Sequence, residues 1–163
     1  MGDIERVGDA DERNTSMQCV ARRTFFAFSA WSAICALIHR LTAFLVDHQP
    51  PEGGAMGCLL ELDGVRLAYS GDTRPVPRLV EAAQDIDLLV HEAGGLDEHA
   101  AEIHRQGHST AGDAGRAARA AGVGRLILTH VPTEVLAEPM LAEARAAFGG
   151  PVEVATDLAL VEP

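Results

Sequence analysis

The chain has 163 residues, the length of one ordinary domain. Its 47% hydrophobic and 23% charged content excludes an intrinsically disordered protein. A net charge of −11 argues against gripping nucleic acid by bulk electrostatics, which needs clustered cations, although metal ions or a local basic patch can supply positive charge.

Residues 1–16 are polar and charged and read as disordered. Residues 17–38 are apolar without a strong period and read as a helix. The uncharged stretch 24–38 (TFFAFSAWSAICALI) is shorter than the roughly 20 residues a membrane-spanning helix needs. The acidic Asp3, Glu5, Asp9, Asp11 and Glu12 are unlike a signal peptide. No membrane association is therefore expected. Cys19, Cys35 and Cys58 form no Cys-x-x-Cys pair and read as reduced thiols of a cytoplasmic protein.

Composition changes near residue 40, which divides the chain into an N-terminal segment, 1–40, and a regular domain, 41–163. Residues 41–46 (LTAFLV) predict a strand, and 48–56 a loop broken by Pro50, Pro51, Gly53 and Gly54. Asp63-Gly64 between apolar runs 57–62 and 65–70 predicts a β-hairpin. A short helix over 76–84 follows, then a buried strand over 86–90 and a short helix within 96–106. Ser109 or Thr110 caps a helix that Gly122 ends. A strand over 125–129, a helix over 136–148 and closing strands over 152–155 and 158–161 complete the pattern. This is α/β, with helices covering one face of a sheet.

Polar residues collect where the strands end. His48 follows an apolar run, Asp72 follows LAYSG, His91-Glu92 follows DLLV and His130 follows LILT. In α/β sheets, strand C-termini deliver residues to one edge, where sites assemble. Singly, each has an ordinary role: a capping histidine, a turn aspartate, a solvated His91-Glu92 pair. His99 and His104 read as exposed, and His39 has no assigned role. The joint pattern singles out His48, Asp72 and His130.

The strings SGDT, HEA, GHST and LTH, in this order and spacing, resemble the second half of a metallo-β-lactamase-fold hydrolase of the ribonuclease Z type. The resemblance covers about 41–163 and implies one sheet with covering helices, half of an αββα sandwich. It implies that His48, Asp72 and His130 bind metal, two Zn²⁺ ions in the intact family, with Asp72 bridging them. It implies that His108 acts near the leaving group and that Glu92 orients it. Where related enzymes often read His-Glu-Ala-Thr, this chain reads His91-Glu92-Ala93-Gly94.

The family's upstream His-x-His-x-Asp-His is absent; His39 is the one histidine before Leu41. About one His and the shared Asp then remain for each ion, too few to close a zinc site. The expectation is a truncated, impaired hydrolase that binds metal weakly, a fragment preceded by a segment foreign to the enzyme. A degenerate enzyme, or a chain completed by a partner, would leave the same pattern. Expected substrates are phosphodiesters or small esters. Transfer RNA 3′-end processing is a candidate, but net charge does not favour RNA. An oligomer is possible, and a non-catalytic remnant is the alternative function.

Overall fold

The computed structural model describes residues 38–48 and 54–161. The disorder expected over 1–16 lies outside them, as does the helix expected over 17–38 except for its last residue. Ile38 instead opens strand β1, Ile38–Val46, three residues earlier than the apolar run suggests. Strands β2, Ala55–Leu62, and β3, Val65–Tyr69, form the expected hairpin. Its turn residues Asp63 and Gly64 have φ of 44° and 87°. Two positive φ values give the turn a twist that matches its strands, which is why Asp-Gly is favoured there.

Helix α1, Pro77–Ala82, leads to β4, Leu88–Glu92. A 3₁₀ turn, Asp97–His99, runs into the short helix α2, Ala100–Arg105. Helix α3, Ala111–Ala121, starts in a capping box: Thr110 accepts from the Asp113 N–H, and the Asp113 carboxylate accepts from the Thr110 N–H. It ends at Gly122 with φ of 67°, the left-handed stop a glycine allows. Strand β5, Arg125–Thr129, helix α4, Glu134–Phe148, and strand β6, Val152–Val154, follow.

The six strands form one sheet in the order β1-β2-β3-β4-β5-β6. β2 is antiparallel to both neighbours, and β3 through β6 are parallel. One face carries the helices. Its Phe44, Ala68, Leu89, Leu126, Leu128 and Val152 pack with Leu79, the alanines of α3, and Met140 and Ala144 of α4. Alternation along the strands puts Leu41, Leu45, Met56, Leu60, Leu67 and Tyr69 on the opposite face. The expected α/β sheet with covering helices is therefore present.

The strand expected over 158–161 is not. Residues 157–158 form a turn, and Leu158 and Leu160 are exposed. β6 pairs with β5 only as far as Leu128–Val154, so the apolar run beyond it has no strand to pair with. Among the described residues no helix is long and apolar enough to cross a membrane.

Candidate metal centre

Strand direction assembles the site. Because β2 runs against β1 and β3, strands β1, β3, β4 and β5 all point the same way and finish at one edge of the sheet. His48 follows β1, Asp72 follows β3, His91 and Glu92 end β4, and His130 follows β5. The loop between α2 and α3 adds His108. Gly71, with φ of 61°, lets the β3 turn lie close to β2; a Cβ there would sit 2.6 Å from the Met56 carbonyl oxygen.

His48, Asp72 and His108 offer one ligand atom each, all within 4.8 Å of one another. The rings of His48 and His108 meet edge to face at 4.8 Å, and those of His108 and His130 stack at 4.9 Å. Thus the three-residue cluster contains His108, for which the family resemblance implies a place near the leaving group. His130, read as a ligand, is exposed and stacks on the His108 ring. His130 has φ of 59°, an unfavourable backbone state for a residue with a Cβ, of the kind that collects at functional sites.

Each donor is in a state suited to a cation. His48 Nδ1 lies 2.9 Å from the Gly107 carbonyl, which only accepts, so Nδ1 carries a proton and Nε2 is the nitrogen left to face a cation. Burial, together with nearby His48 and Arg74, pushes the His108 imidazole toward its neutral form, against the pull of Asp72. Asp72 is half-buried and makes no hydrogen bond or ion pair with a described residue. An unengaged carboxylate beside the imidazoles of His48 and His108 fits a divalent cation of the Zn²⁺ type.

Behind the cluster, Glu92 is fully buried, as is His91; the solvated pair is not what the fold contains. Glu92 Oε1 accepts from the Thr73 N–H at 2.9 Å and the Ser109 N–H at 3.1 Å, and lies 3.1 Å from His108 Nδ1. Glu92 Oε2 is buried with no partner. Burial raises the Glu92 pKa to about 7, against the lowering effect of the two backbone donors. His91 points to the helix face of the sheet, and burial pushes it toward its neutral form.

Other histidines fall elsewhere. His99 is exposed as expected. His104, expected to be exposed, is half-buried, with Nε2 2.6 Å from Asp113 Oδ2. His39 pairs with Asp63 at 2.7 Å, at the opposite end of β1 from His48. Sequence reasoning missed Thr73, Ser109 and Arg74. Thr73 and Ser109 hold Glu92 through backbone N–H groups, which no side-chain pattern reveals, and Ser109 Oγ donates to the Thr73 carbonyl at 2.6 Å. Arg74 lies inside the SGDTRP string that carries Asp72, and its place there was the available signal.

Comparison with known proteins bears on the fold and the family. A family profile described as "Beta-lactamase superfamily domain" matches residues 2–131. The ribonuclease Z of Myxococcus xanthus is 50% identical over 101 residues, 61% of this chain and 33% of that protein. The ribonuclease Z of Haloferax volcanii is 45% identical over 96 residues, 58% of this chain and 30% of that protein. The aligned part thus spans about a third of each curated relative. Human tRNase Z, short form, shares the fold with a TM-score of 0.64 at 20% identity, over 90% of this chain and 46% of that one. The metallo-beta-lactamase fold protein YhfI of Bacillus subtilis gives 0.60 at 25% identity, over 71% and 46%.

Proposed function

The chain belongs to the beta-lactamase superfamily, and we propose that it contributes to a metal-dependent phosphodiester hydrolase of the ribonuclease Z type. The observation that carries this reading is the arrival of His48, Asp72, His108 and His130 at one edge of the sheet, with the His108 ring in contact with those of His48 and His130. The relatives named ribonuclease Z support the substrate class.

In this reading His48, Asp72 and His130 would hold the metal. Bound divalent cations supply Lewis-acid polarisation of the phosphoryl group and neutralise its developing charge. His108 gives a proton from Nε2 to the departing oxygen, while Nδ1 stays on Glu92. Burial raises the Glu92 carboxyl to about 7 and pushes the His108 imidazole toward its neutral form, so both shifts favour an uncharged pair. The 4.8 Å cluster favours a second assignment, with His108 itself a ligand. The cobalt spectrum of His108→Ala separates the two, since loss of a ligand changes the d–d bands and loss of a proton donor does not.

Two protein ligands per ion leave a zinc site open, so this chain alone binds zinc weakly. Cysteines without a disulfide framework support a reducing, cytoplasmic setting. The test is hydrolysis of a model phosphodiester with added Zn²⁺ or Mn²⁺, alongside zinc calorimetry. Turnover lost in Asp72→Ala supports the hydrolase. No turnover with any metal supports the alternative, a non-catalytic remnant of the fold. Tight binding of two ions per chain overturns the half-site reading.

A further inference from the structure

We infer that Arg74 is a positioning residue that clamps the His48 loop and the His108 loop together across the turn carrying Asp72. The inference takes from the site proposed above only the identity of the residues being positioned.

Arg74 lies two residues past Asp72, and it reaches both neighbouring loops. On one side its backbone N–H donates to the Asp47 carbonyl at 2.7 Å, and its guanidinium donates to Asp47 Oδ1 at 3.0 Å. The Asp47 N–H in turn donates to Thr73 Oγ1 at 3.1 Å. The residue immediately before His48 is thereby tied to the Asp72 turn by three bonds. On the other side Arg74 Nε donates to the His104 carbonyl at 2.5 Å, and its terminal nitrogen to the Arg105 carbonyl at 3.4 Å. These are among the last carbonyls of α2, which lack helical partners and attract a cation. The His104 carbonyl also accepts from the Gly107 N–H at 3.0 Å, so the start of the His108 loop is held at the same point. The bond from His48 Nδ1 to the Gly107 carbonyl closes the ring of contacts.

The chemistry of the ring explains why an arginine stands there. Asp47 Oδ1 and the two helix carbonyls are all acceptors, and Arg74 supplies the donors that face them. Without the guanidinium, a carboxylate and a helix C-terminus confront one another and the loops separate. A planar fork addresses acceptors in several directions at once, whereas a lysine ammonium on its flexible stem does not hold the same geometry. The Arg74 side chain is only 25% exposed, so water screens these bonds incompletely.

The test reads the imidazole ¹⁵N–¹H signals of the metal-free chain, with zinc calorimetry beside them. In Arg74→Ala we expect His48 to lose its fixed Nδ1–H tautomer and His108 to shift. His91, whose Nδ1 is held 2.7 Å from the Glu92 carbonyl inside the sheet, stays unchanged and reports an intact fold. Zinc affinity falls about tenfold, the usual effect of losing an outer partner of a metal ligand. Arg74→Lys gives intermediate signals. Arg40→Ala, which removes an exposed pair with Glu61 at the other end of β1, changes none of them. Unchanged His48 and His108 signals in Arg74→Ala overturn the inference, and so does an equal effect of Arg40→Ala. If Arg74→Ala fails to fold, Asp47→Ala cuts one arm of the clamp, and an undisturbed His48 then overturns it. A chain that binds no zinc at all defeats the proposed metal site, while the imidazole signals still decide the role of Arg74.

Discussion

Glu92 shows how much a single residue carries at this site. Its side chain is wholly buried, yet only one of its two oxygens is satisfied. An unpaired buried oxygen is costly as a carboxylate and less so when protonated, which is why the pKa rises from the ordinary 4.5 to about 7. The folded chain binds this proton more tightly than the unfolded one. Its contribution to stability is therefore complete below about pH 4.5 and is lost as pH rises through about 7. Glu92→Gln keeps an acceptor for the Thr73 and Ser109 N–H groups and cannot ionise. Between about pH 5 and pH 8 the metal-free native chain should lose on the order of 1–3 kcal/mol relative to the variant. Urea unfolding at the two pH values measures this, and a gap that does not change with pH shows that Glu92 does not titrate in that window.

At the scale of elements, packing between α3 and α4 decides what the helix can tolerate. Gly115 sits on the buried face of α3, where an added Cβ would lie 2.5 Å from the Ala144 carbonyl oxygen and 2.8 Å from Ala147 Cβ. Helix propensity alone favours alanine over glycine by about 1 kcal/mol. Overpacking against backbone costs about 1–3 kcal/mol and wins here. Gly115→Ala should lower the denaturant midpoint, and a rise would mean that α4 shifts outward at little cost.

The same elements show what could be read in advance. The hairpin and the ends of α3 were legible because Asp63-Gly64, Thr110 and Gly122 act locally, through φ and capping. Residues 158–161 misled because a short apolar run fits a strand, and only the short reach of the β5–β6 pairing denies them a partner. The burial of His91-Glu92 and the bond from His104 to Asp113 depend on contacts between elements, which a local pattern does not contain. Likewise, the strand-end positions of His48, Asp72 and His130 were visible. The contact of the His108 ring with both His48 and His130 is a product of how the α2–α3 loop folds.

For the whole molecule, charge bears most directly on substrate. The net charge is −11, and all 13 basic residues are arginines. Many of the described arginines already face acids: Arg40 meets Glu61, Arg74 meets Asp47, Arg105 meets Glu102, Arg116 meets Asp97 and Asp113, and Arg125 meets Glu153. Arg116 holds Asp113 at a pKa of about 2 despite burial that pushes it up, so this pair stays ionised across the working pH range. An arginine committed to a carboxylate releases few counterions when a phosphate approaches. For single-stranded nucleic acid each neutralised phosphate contributes a slope of about −0.7 to log affinity against log salt concentration. With fewer than two phosphates gripped, the slope for an unstructured RNA should be shallower than about −1.4. Fluorescence anisotropy of a labelled oligonucleotide, titrated at several salt concentrations, measures it. A steep slope would reveal a basic surface that gathers RNA by its backbone and would favour a polynucleotide substrate. A flat one leaves recognition to the cluster around Asp72 and to the scissile phosphodiester itself, which suits a small substrate.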